Sequence, residues 1–187
     1  MINSKHAYYY SLRIASRNAV AQSINQKIRK SRNPLPWAGL VFGSINKDAL
    51  DQARTEWPKY YSDQTHNGFV ESWESLHKKF QATPAFFDLA IWQQIDGSDV
   101  LQGLALGRPS DGKTHLTINW VERSFAPNYL KGGILLPILA CAEEYAKLIG
   151  CKRVLIKNPI DPSQYQRYRY HPYALRRVKA TYLCKEL

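Results

Sequence analysis

The sequence predicts a single α/β domain in which helices flank a mixed, mostly antiparallel central sheet. Three strand patterns separated by short turns indicate an antiparallel meander over residues 86–123. An apolar helix pattern and a further strand pattern follow, and this order indicates one parallel β-α-β crossover in the same sheet. The first 80 residues carry mainly helical patterns. We therefore expect an extended helical region at 1–80 before the core of the domain at 86–187.

The amino-terminal region is predicted to be helical in pieces, with helices at 4–28, 48–57 and 69–80. Ser44 or Asn46 is a suitable cap for the second helix. The apolar run at 37–45 fits either a short strand or a buried loop. Four apolar residues of the third helix are spaced to share one face: Phe69, Trp73, Leu76 and Phe80.

The core is predicted to contain strands at 86–94, 100–107, 115–123, 153–157 and 178–183. Its helices are expected at 133–149 and 163–170. Alternation along the third strand places one set of side chains on one face: Leu116, Ile118, Trp120 and Glu122. The other face then carries Thr117, Asn119, Val121 and Arg123.

The charge of the chain is strongly basic, with 26 Lys and Arg against 15 Asp and Glu and a net charge of +11. This excess fits either a basic protein with no polyanionic partner or attraction to phosphates of a nucleic acid or nucleotide. Residues 1–33 contain no acidic residue. Tyrosine and arginine interleave across 165–179, which suits stacking on bases, although a tyrosine-packed loop with solvated arginines gives the same pattern.

Cysteine usage and hydropathy favour a cytoplasmic protein. The three cysteines form no C-x-x-C pair and are a poor disulfide framework. No apolar run approaches the length of a membrane span, and no secretory signal is indicated. His66 and His77 lack other ligands at metal-binding spacing, so we expect no metal site. The oligomeric state is not predicted.

A glycine-containing loop precedes the apolar helix and has the sequence Asn128-Tyr129-Leu130-Lys131-Gly132-Gly133. Exposed N–H groups at the amino end of a helix bind phosphate. The two glycines allow close backbone approach, and Lys131 adds a positive charge. The alternative is an ordinary turn into a helix with no ligand.

At this loop the sequence resembles the GNAT superfamily of acyl-CoA N-acyltransferases. The family core V-x-P-x-Y-R-G-K-G-x-G aligns without gaps with residues 125–135, Phe-Ala-Pro-Asn-Tyr-Leu-Lys-Gly-Gly-Ile-Leu. The apolar helix with its A-x-x-x-G ending and the later Tyr165 continue the match, which covers about half the chain. Leu130, Leu135 and Arg169 depart from the pattern, since the family has Arg or Gln, Gly and Gly there.

The resemblance implies acetyl-CoA or another acyl-CoA as co-substrate. The implied binding residues are Phe125, Ala126, Pro127, Leu130, Lys131, Gly132, Gly133, Ile134, Leu135 and Asn158. The backbone at Phe125 and Ala126 would pair with the pantetheine arm, the amides of 130–135 would hold the pyrophosphate, and Asn158 would contact the arm. Tyr165 would protonate the leaving thiolate. Glu122 is the first candidate for the general base, against the alternative of a surface carboxylate paired with Lys or Arg.

We therefore expect an enzyme that moves an acetyl or other acyl group from acyl-CoA to an amine. The basic segments 1–33 and 165–179 favour an acceptor linked to nucleic acid, such as tRNA or a DNA base. The alternative is a catalytically degenerate GNAT-like module that binds nucleic acid or a protein partner. Leu130 and Leu135 favour that alternative, whereas Tyr165 favours the enzyme.

Overall fold

A computed structural model describes residues 4–32, 36–61, 71–126, 130, 133–175 and 178–187. Within these ranges, one sheet of seven strands has the order β1-β2-β3-β4-β5-β7-β6. The strands are β1 (Leu40–Gly43), β2 (Phe87–Ile95), β3 (Ser98–Pro109), β4 (His115–Arg123), β5 (Arg153–Lys157), β6 (His171–Tyr173) and β7 (Tyr182–Glu186). The helices are α1 (Ser4–Lys30), α2 (Lys47–Thr55), a 3-10 helix (Trp57–Tyr60), α3 (Trp73–Gln81), α4 (Leu135–Leu148) and α5 (Ser163–Gln166).

The strand pairing confirms the predicted meander and crossover. Strands β1 to β4 pair as consecutive antiparallel neighbours. Strand β4 then pairs in parallel with β5, and α4 makes the crossover between them. Strand β7 pairs antiparallel with both β5 and β6. The mixed, mostly antiparallel sheet is therefore the one that the sequence predicts.

Two apolar clusters cover the two faces of the sheet. On one side, which we call the α4 face, α1 and α4 pack on the sheet around residues such as Val20, Leu89, Ile118, Ile138 and Tyr145. On the other side, which we call the α3 face, α2 and α3 pack around Ala49, Trp57, Leu76, Phe80 and Leu104. This burial is the main favourable contribution to folding.

A charged cluster is buried around Asp88 of β2, which is 2% exposed and projects on the α3 face, since its cross-strand partner Leu106 belongs to that cluster. Arg13 Nε and Arg17 Nη2, both from α1, lie 3.1 and 2.8 Å from Asp88 Oδ1. The backbone N–H of Ile45 donates to Asp88 Oδ2 at 2.8 Å. Arg13 and Arg17 are therefore buried inside the protein. Only the exposed basic residues of segment 1–33 remain able to contact a nucleic acid.

The predicted alternation along β4 is wrong because the strand contains a bulge. Leu106 pairs with Trp120 and Gly107 with Ile118, so Asn119 is the extra residue. Beyond the bulge the faces exchange: Trp120 packs on the α3 face, whereas Val121 packs on the α4 face with Ile118. Glu122 consequently lies on the α3 face, opposite to Ile118.

Several boundaries differ from the predicted ones for local reasons. Ser72 caps α3, which begins at Trp73, and the predicted start at Phe69 lies outside the described residues. Helix α5 is one turn long, and Arg169 adopts a left-handed φ of 67° after it. The last strand is shifted from 178–183 to β7, because Glu186 pairs with Arg153.

The apolar run at 37–45 contains strand β1, and β6 was not predicted at all. Asn46 is the cap of α2, since its side chain accepts from the Ala49 N–H at 2.9 Å. All three cysteines are buried and free. No helix in the described part of the chain is long and apolar enough to cross a membrane.

Candidate functional site

A cleft of about 440 Å³ opens where β4 and β5 separate. The two strands pair over only four residues, from His115 with Arg153 to Ile118 with Ile156. Strand β4 continues to Arg123 without β5 beside it. The cleft is lined by this free length of β4, the amino end of α4, the end of β5 and the segment leading into α5. Its volume is within the range of small-molecule sites.

Glu122 lines this cleft and is 5% exposed, so the alternative of a surface carboxylate is wrong. Its Oε1 accepts from the Tyr61 hydroxyl at 2.5 Å, and its Oε2 accepts from Trp73 Nε1 at 2.5 Å. Burial and the neighbouring Glu122 carboxylate raise the pKa of the Tyr61 phenol. The phenol therefore stays a donor to the carboxylate, and the carboxylate is held on the α3 face.

Tyr165 lines the same cleft from α5 and is 8% exposed. Its ring belongs to the apolar cluster of the α4 face and contacts the ring of Tyr170 edge-on. Burial, and then the charge of Asp161, raise the pKa of Tyr165 to about 12. The phenol is therefore protonated at neutral pH and is able to donate a proton.

Asn158 lies at the end of β5, lines the cleft, and adopts a left-handed φ of 49°. Its Oδ1 accepts from the Thr181 N–H at 3.0 Å, and its own N–H donates to the Thr181 carbonyl at 2.8 Å. These bonds fix the end of β5 to the segment before β7. The side-chain amide nitrogen of Asn158 is not engaged by these bonds.

The glycine loop is described only at Leu130 and Gly133, because Asn128, Tyr129, Lys131 and Gly132 lie outside the described residues, as does Pro127 before the loop. The Leu130 side chain is 3% exposed and packs in the core of the α4 face. Its carbonyl accepts from the Gly133 N–H at 2.7 Å, so that amide is already used. The Gly133 carbonyl in turn accepts from Trp37 Nε1 at 3.2 Å.

The amino end of α4 forms one wall of the cleft through Ile134 and Leu135. Leu135, where the resemblance expects glycine, is buried and also belongs to the core. Ile134 occupies the cap position, and no side chain caps this end of the helix. The N–H groups of a first helical turn have no intrahelical acceptor, so they are suited to a ligand. Pro137 in that turn has no N–H.

The segment after β4 carries Phe125 and Ala126. Phe125 lines the cleft and meets the Tyr61 ring edge-on, with centroids 6.3 Å apart. The Ala126 N–H donates to Ser124 Oγ at 3.1 Å. Arg123 also lines the cleft, with its guanidinium carbon 4.1 Å from the centroid of the Phe125 ring.

The cleft thus connects the two faces of the sheet. Glu122 faces α3, whereas Tyr165 belongs to the cluster under α4, and both reach the gap between β4 and β5. Sequence reasoning missed Tyr61, Trp73 and Arg123 as parts of this site. Trp73 has a signal in the sequence, since it lies on the apolar stripe of the predicted third helix, but nothing there indicates its bond to Glu122.

In the tyrosine-arginine tract the tyrosines are buried or half-buried, whereas Arg167 and Arg169 are exposed; Arg176 and Arg177 lie outside the described residues. Tyr165 and Tyr170 are buried, and the Tyr170 hydroxyl donates to Glu143 at 3.1 Å. Arg167 is exposed and lies over the Tyr168 ring at 4.8 Å. Within the described ranges, no three His, Cys, Asp or Glu residues cluster as metal ligands would.

Solved structures resemble this chain over most of its length. A putative ribosomal-protein-serine acetyltransferase from Vibrio cholerae matches with a TM-score of 0.56 and 9% identity, covering 80% of this chain and 95% of that one. A putative acetyltransferase of the GNAT family from Desulfovibrio desulfuricans matches with a TM-score of 0.51 and 14% identity, covering 79% and 98%. The chain has the GNAT fold.

This fold is the one that the resemblance in the second half of the chain implies. A third match is a putative acetyltransferase from Salmonella typhimurium, solved with its cofactor acetyl-CoA. It has a TM-score of 0.52 and 14% identity, covering 80% of this chain and 94% of that one. No family model matches the sequence, and a search of curated proteins finds no relative. At these identities the likeness is one of fold.

Proposed function

We propose that the protein transfers an acetyl or other acyl group from acyl-CoA to an amine. The observation that carries this proposal is the cleft between β4 and β5, which has both Glu122 and Tyr165 among its lining residues. One is a carboxylate able to take a proton, and the other is a protonated phenol able to give one. Among structures of similar fold, the Salmonella typhimurium acetyltransferase was determined with acetyl-CoA.

The described residues fit an acyl-CoA molecule in this cleft. Beyond Ile118, β4 is not paired with β5, so an extended pantetheine arm can add to that edge as a strand would. Phe125, Ala126 and the Asn158 amide nitrogen are the proposed contacts of the arm. Ala126 would exchange its bond to Ser124 for one to the arm. The proposed pyrophosphate contacts are the remaining amides of 130–135, including those of Ile134 and Leu135.

The proposed roles follow from the positions of the two side chains in the cleft and from the raised pKa of Tyr165. Acyl-CoA supplies the thioester and its thiol leaving group when it is bound. Glu122 accepts the proton that the attacking amine must lose, and Tyr61 and Trp73 hold its two oxygens in place. Tyr165 donates its proton to the departing sulfur. Because Glu122 faces α3 and Tyr165 faces α4, the amine enters from the α3 face and the thiol leaves on the α4 face.

Calorimetric titration with acetyl-CoA tests the proposal. We expect a dissociation constant below about 1 mM, which corresponds to a binding free energy of roughly −4 kcal/mol or more favourable. Tyr165→Phe should leave this constant unchanged and lower thiol release roughly tenfold to hundredfold in a panel of peptide, small-amine and tRNA acceptors. Tyr168→Phe is the matched control, since Tyr168 is a neighbouring residue that does not line the cleft. Absence of acetyl-CoA binding would overturn the proposal.

The acceptor that we propose is linked to nucleic acid, as tRNA or a DNA base. The net charge of +11 supports this, and so do the exposed Lys27, Arg29 and Lys30 at the end of α1. A gel shift with tRNA and duplex DNA over a salt series provides the test. We expect retardation at low salt that weakens steeply as salt rises, and that weakens when these three residues are replaced by glutamine. A migration unchanged at low salt contradicts a nucleic-acid acceptor.

A second candidate function is a GNAT-like module that has lost catalysis and binds nucleic acid or a protein. Two observations favour it: the Gly133 amide is already bonded to the Leu130 carbonyl, and the Leu135 side chain stands at the cleft wall. The two titrations separate the candidates. Binding of tRNA or DNA without binding of acetyl-CoA selects the module, whereas binding and turnover of acetyl-CoA exclude it.

A further inference from the structure

Arg123 is a cation in the cleft that the proposed proton transfers do not use. Its Nη1 donates to the Ser124 carbonyl at 3.1 Å, and its guanidinium stacks on Phe125. Across the described ranges, no carboxylate lies within ion-pair distance of it. An arginine has five N–H donors, so most of its donors are not used by the protein.

The position of Arg123 makes an unpaired charge costly. Burial lowers the pKa of Arg123, although an arginine remains protonated at neutral pH. A half-buried charge without a counter-ion costs free energy, which an anionic ligand group would offset. The buried arginines of α1 show the contrast, because Arg13 and Arg17 both lie against Asp88.

The strand register places Arg123 on the same face as the amino end of α4. Arg123 pairs with Gly103 of β3, and cross-strand partners project from the same face of a sheet. A Cβ atom on Gly103 would lie 2.8 Å from Ile134 Cγ1, so this face meets the cap residue of α4 directly. The amino end of a helix carries partial positive charge, which adds to that of the guanidinium.

We propose that Arg123 binds a phosphate group of the ligand in this cleft and supplies a guanidinium where the glycine loop has Leu130 in place of arginine or glutamine. The inference rests on the proposed acyl-CoA function. Leu130 stands where the resemblance expects arginine or glutamine, and its side chain is buried in the core instead. A guanidinium matches two phosphate oxygens with parallel N–H bonds, and a lysine or glutamine does not.

The test is a calorimetric titration of CoA, pantetheine and inorganic pyrophosphate into the wild type and Arg123→Gln. Pantetheine has the same arm as CoA but no phosphate. We expect Arg123→Gln to raise the dissociation constant of CoA roughly tenfold or more. The variant should also bind pyrophosphate more weakly, whereas its dissociation constant for pantetheine should equal that of the wild type. Increasing salt should reduce the difference in CoA affinity between wild type and variant, since the lost contact is between charges.

Two control variants remove the same charge elsewhere. Arg108 lies over the Phe80 ring at 5.7 Å and does not line the cleft, so Arg108→Gln should bind CoA as the wild type does. Lys157 does line the cleft, from the end of β5. Lys157→Gln therefore measures how much of any loss comes from the general positive potential of the cleft. The urea midpoint of each variant reports whether it is folded.

Each outcome decides the inference. Unchanged CoA affinity in Arg123→Gln overturns it, and so does an equal loss of CoA and pantetheine, which would mean that Arg123 only shapes the cleft. An equal loss in Lys157→Gln and Arg123→Gln also overturns it. If the wild type binds pyrophosphate through Arg123 but does not bind CoA, the proposed function fails while the phosphate site stands. If it binds neither, both fail.

Discussion

Two carboxylates that are buried on the α3 face of the sheet are held in different ways. Asp88 lies against Arg13 and Arg17 of α1 and does not line the cleft. Glu122 on the α3 face accepts from Tyr61 and Trp73 and lines the cleft. Both are less than a tenth exposed, so burial alone does not separate a structural acid from a functional one.

The difference lies in what each carboxylate can still do. The Asp88 charge is matched by guanidinium groups, and loss of that charge would leave two buried cations uncompensated. The oxygens of Glu122 are oriented by a phenol and an indole next to the space that a ligand would occupy. We therefore expect changes at Asp88 to alter the stability of the fold and changes at Glu122 to alter the reaction.

The largest effect is expected for Asp88→Asn. Removing the carboxylate charge leaves Arg13 and Arg17 buried without a counter-ion, so the free energy of unfolding should fall by roughly 3–5 kcal/mol. Urea denaturation followed by circular dichroism measures this change. Asp51→Asn is the control, since its ion pair with Arg54 is exposed and should contribute less than about 1 kcal/mol. If Asp88→Asn lowers the free energy of unfolding by as little as Asp51→Asn does, the buried ion pairs of Asp88 are no more stabilising than the exposed pair of Asp51 and Arg54.

Glu122→Gln should mainly change the reaction. The amide keeps the shape of the side chain but cannot accept a proton from the amine, so acetyl transfer should fall roughly hundredfold or more. Thiol release from acetyl-CoA, with an acceptor found in the amine panel, measures this rate. Glu143→Gln is the matched control, because Glu143 also accepts from a tyrosine, Tyr170, but lies outside the cleft. Wild-type turnover in Glu122→Gln would remove Glu122 from the mechanism.

The α4 side of the fold was predictable from local sequence patterns. Strands β4 and β5 have the predicted bounds, since each is a short run with strand-forming residues between clear turns. Helix α4 lies within the predicted 133–149, and Tyr165 lies in the cleft as the resemblance implies. Periodicity and a contiguous motif suffice for features of this kind, because the residues concerned are neighbours in the chain.

The remaining features depend on pairs far apart in the chain. Glu122 is 61 residues from Tyr61 and 49 from Trp73, and Arg17 is 71 from Asp88. No local pattern contains such contacts. The bulge at Asn119 is similar, because the apolar alternation of β4 continues through it and only the pairing with β3 reveals the extra residue. This bulge decided which face Glu122 occupies.

His77 of α3 provides the smallest predicted effect and lies within the influence of the Asp88 cluster. It is buried, and its ring lies 6.0 Å from that of Phe86. Burial lowers the pKa of His77, while the charge of Asp88 opposes and that of Arg13 assists this shift. The native state therefore keeps the imidazole neutral at pH values where the unfolded chain, with a pKa near 6.5, binds a proton.

The sign follows from which state binds the proton. Neutral His77 makes its full contribution to the free energy of unfolding above pH 6.5. This contribution is lost as the pH falls from 6.5 toward the lowered pKa of the native state. One proton limits the slope to about 1.4 kcal/mol per pH unit. Between pH 7.5 and 5.5, urea unfolding should show a larger loss for the wild type than for His77→Gln. Replacement of the exposed His171 should give a curve parallel to the wild type. If His77→Gln is also parallel, the imidazole reaches solvent in the native state, and the packing of α3 beside the Asp88 cluster is looser than the contacts of His77 indicate.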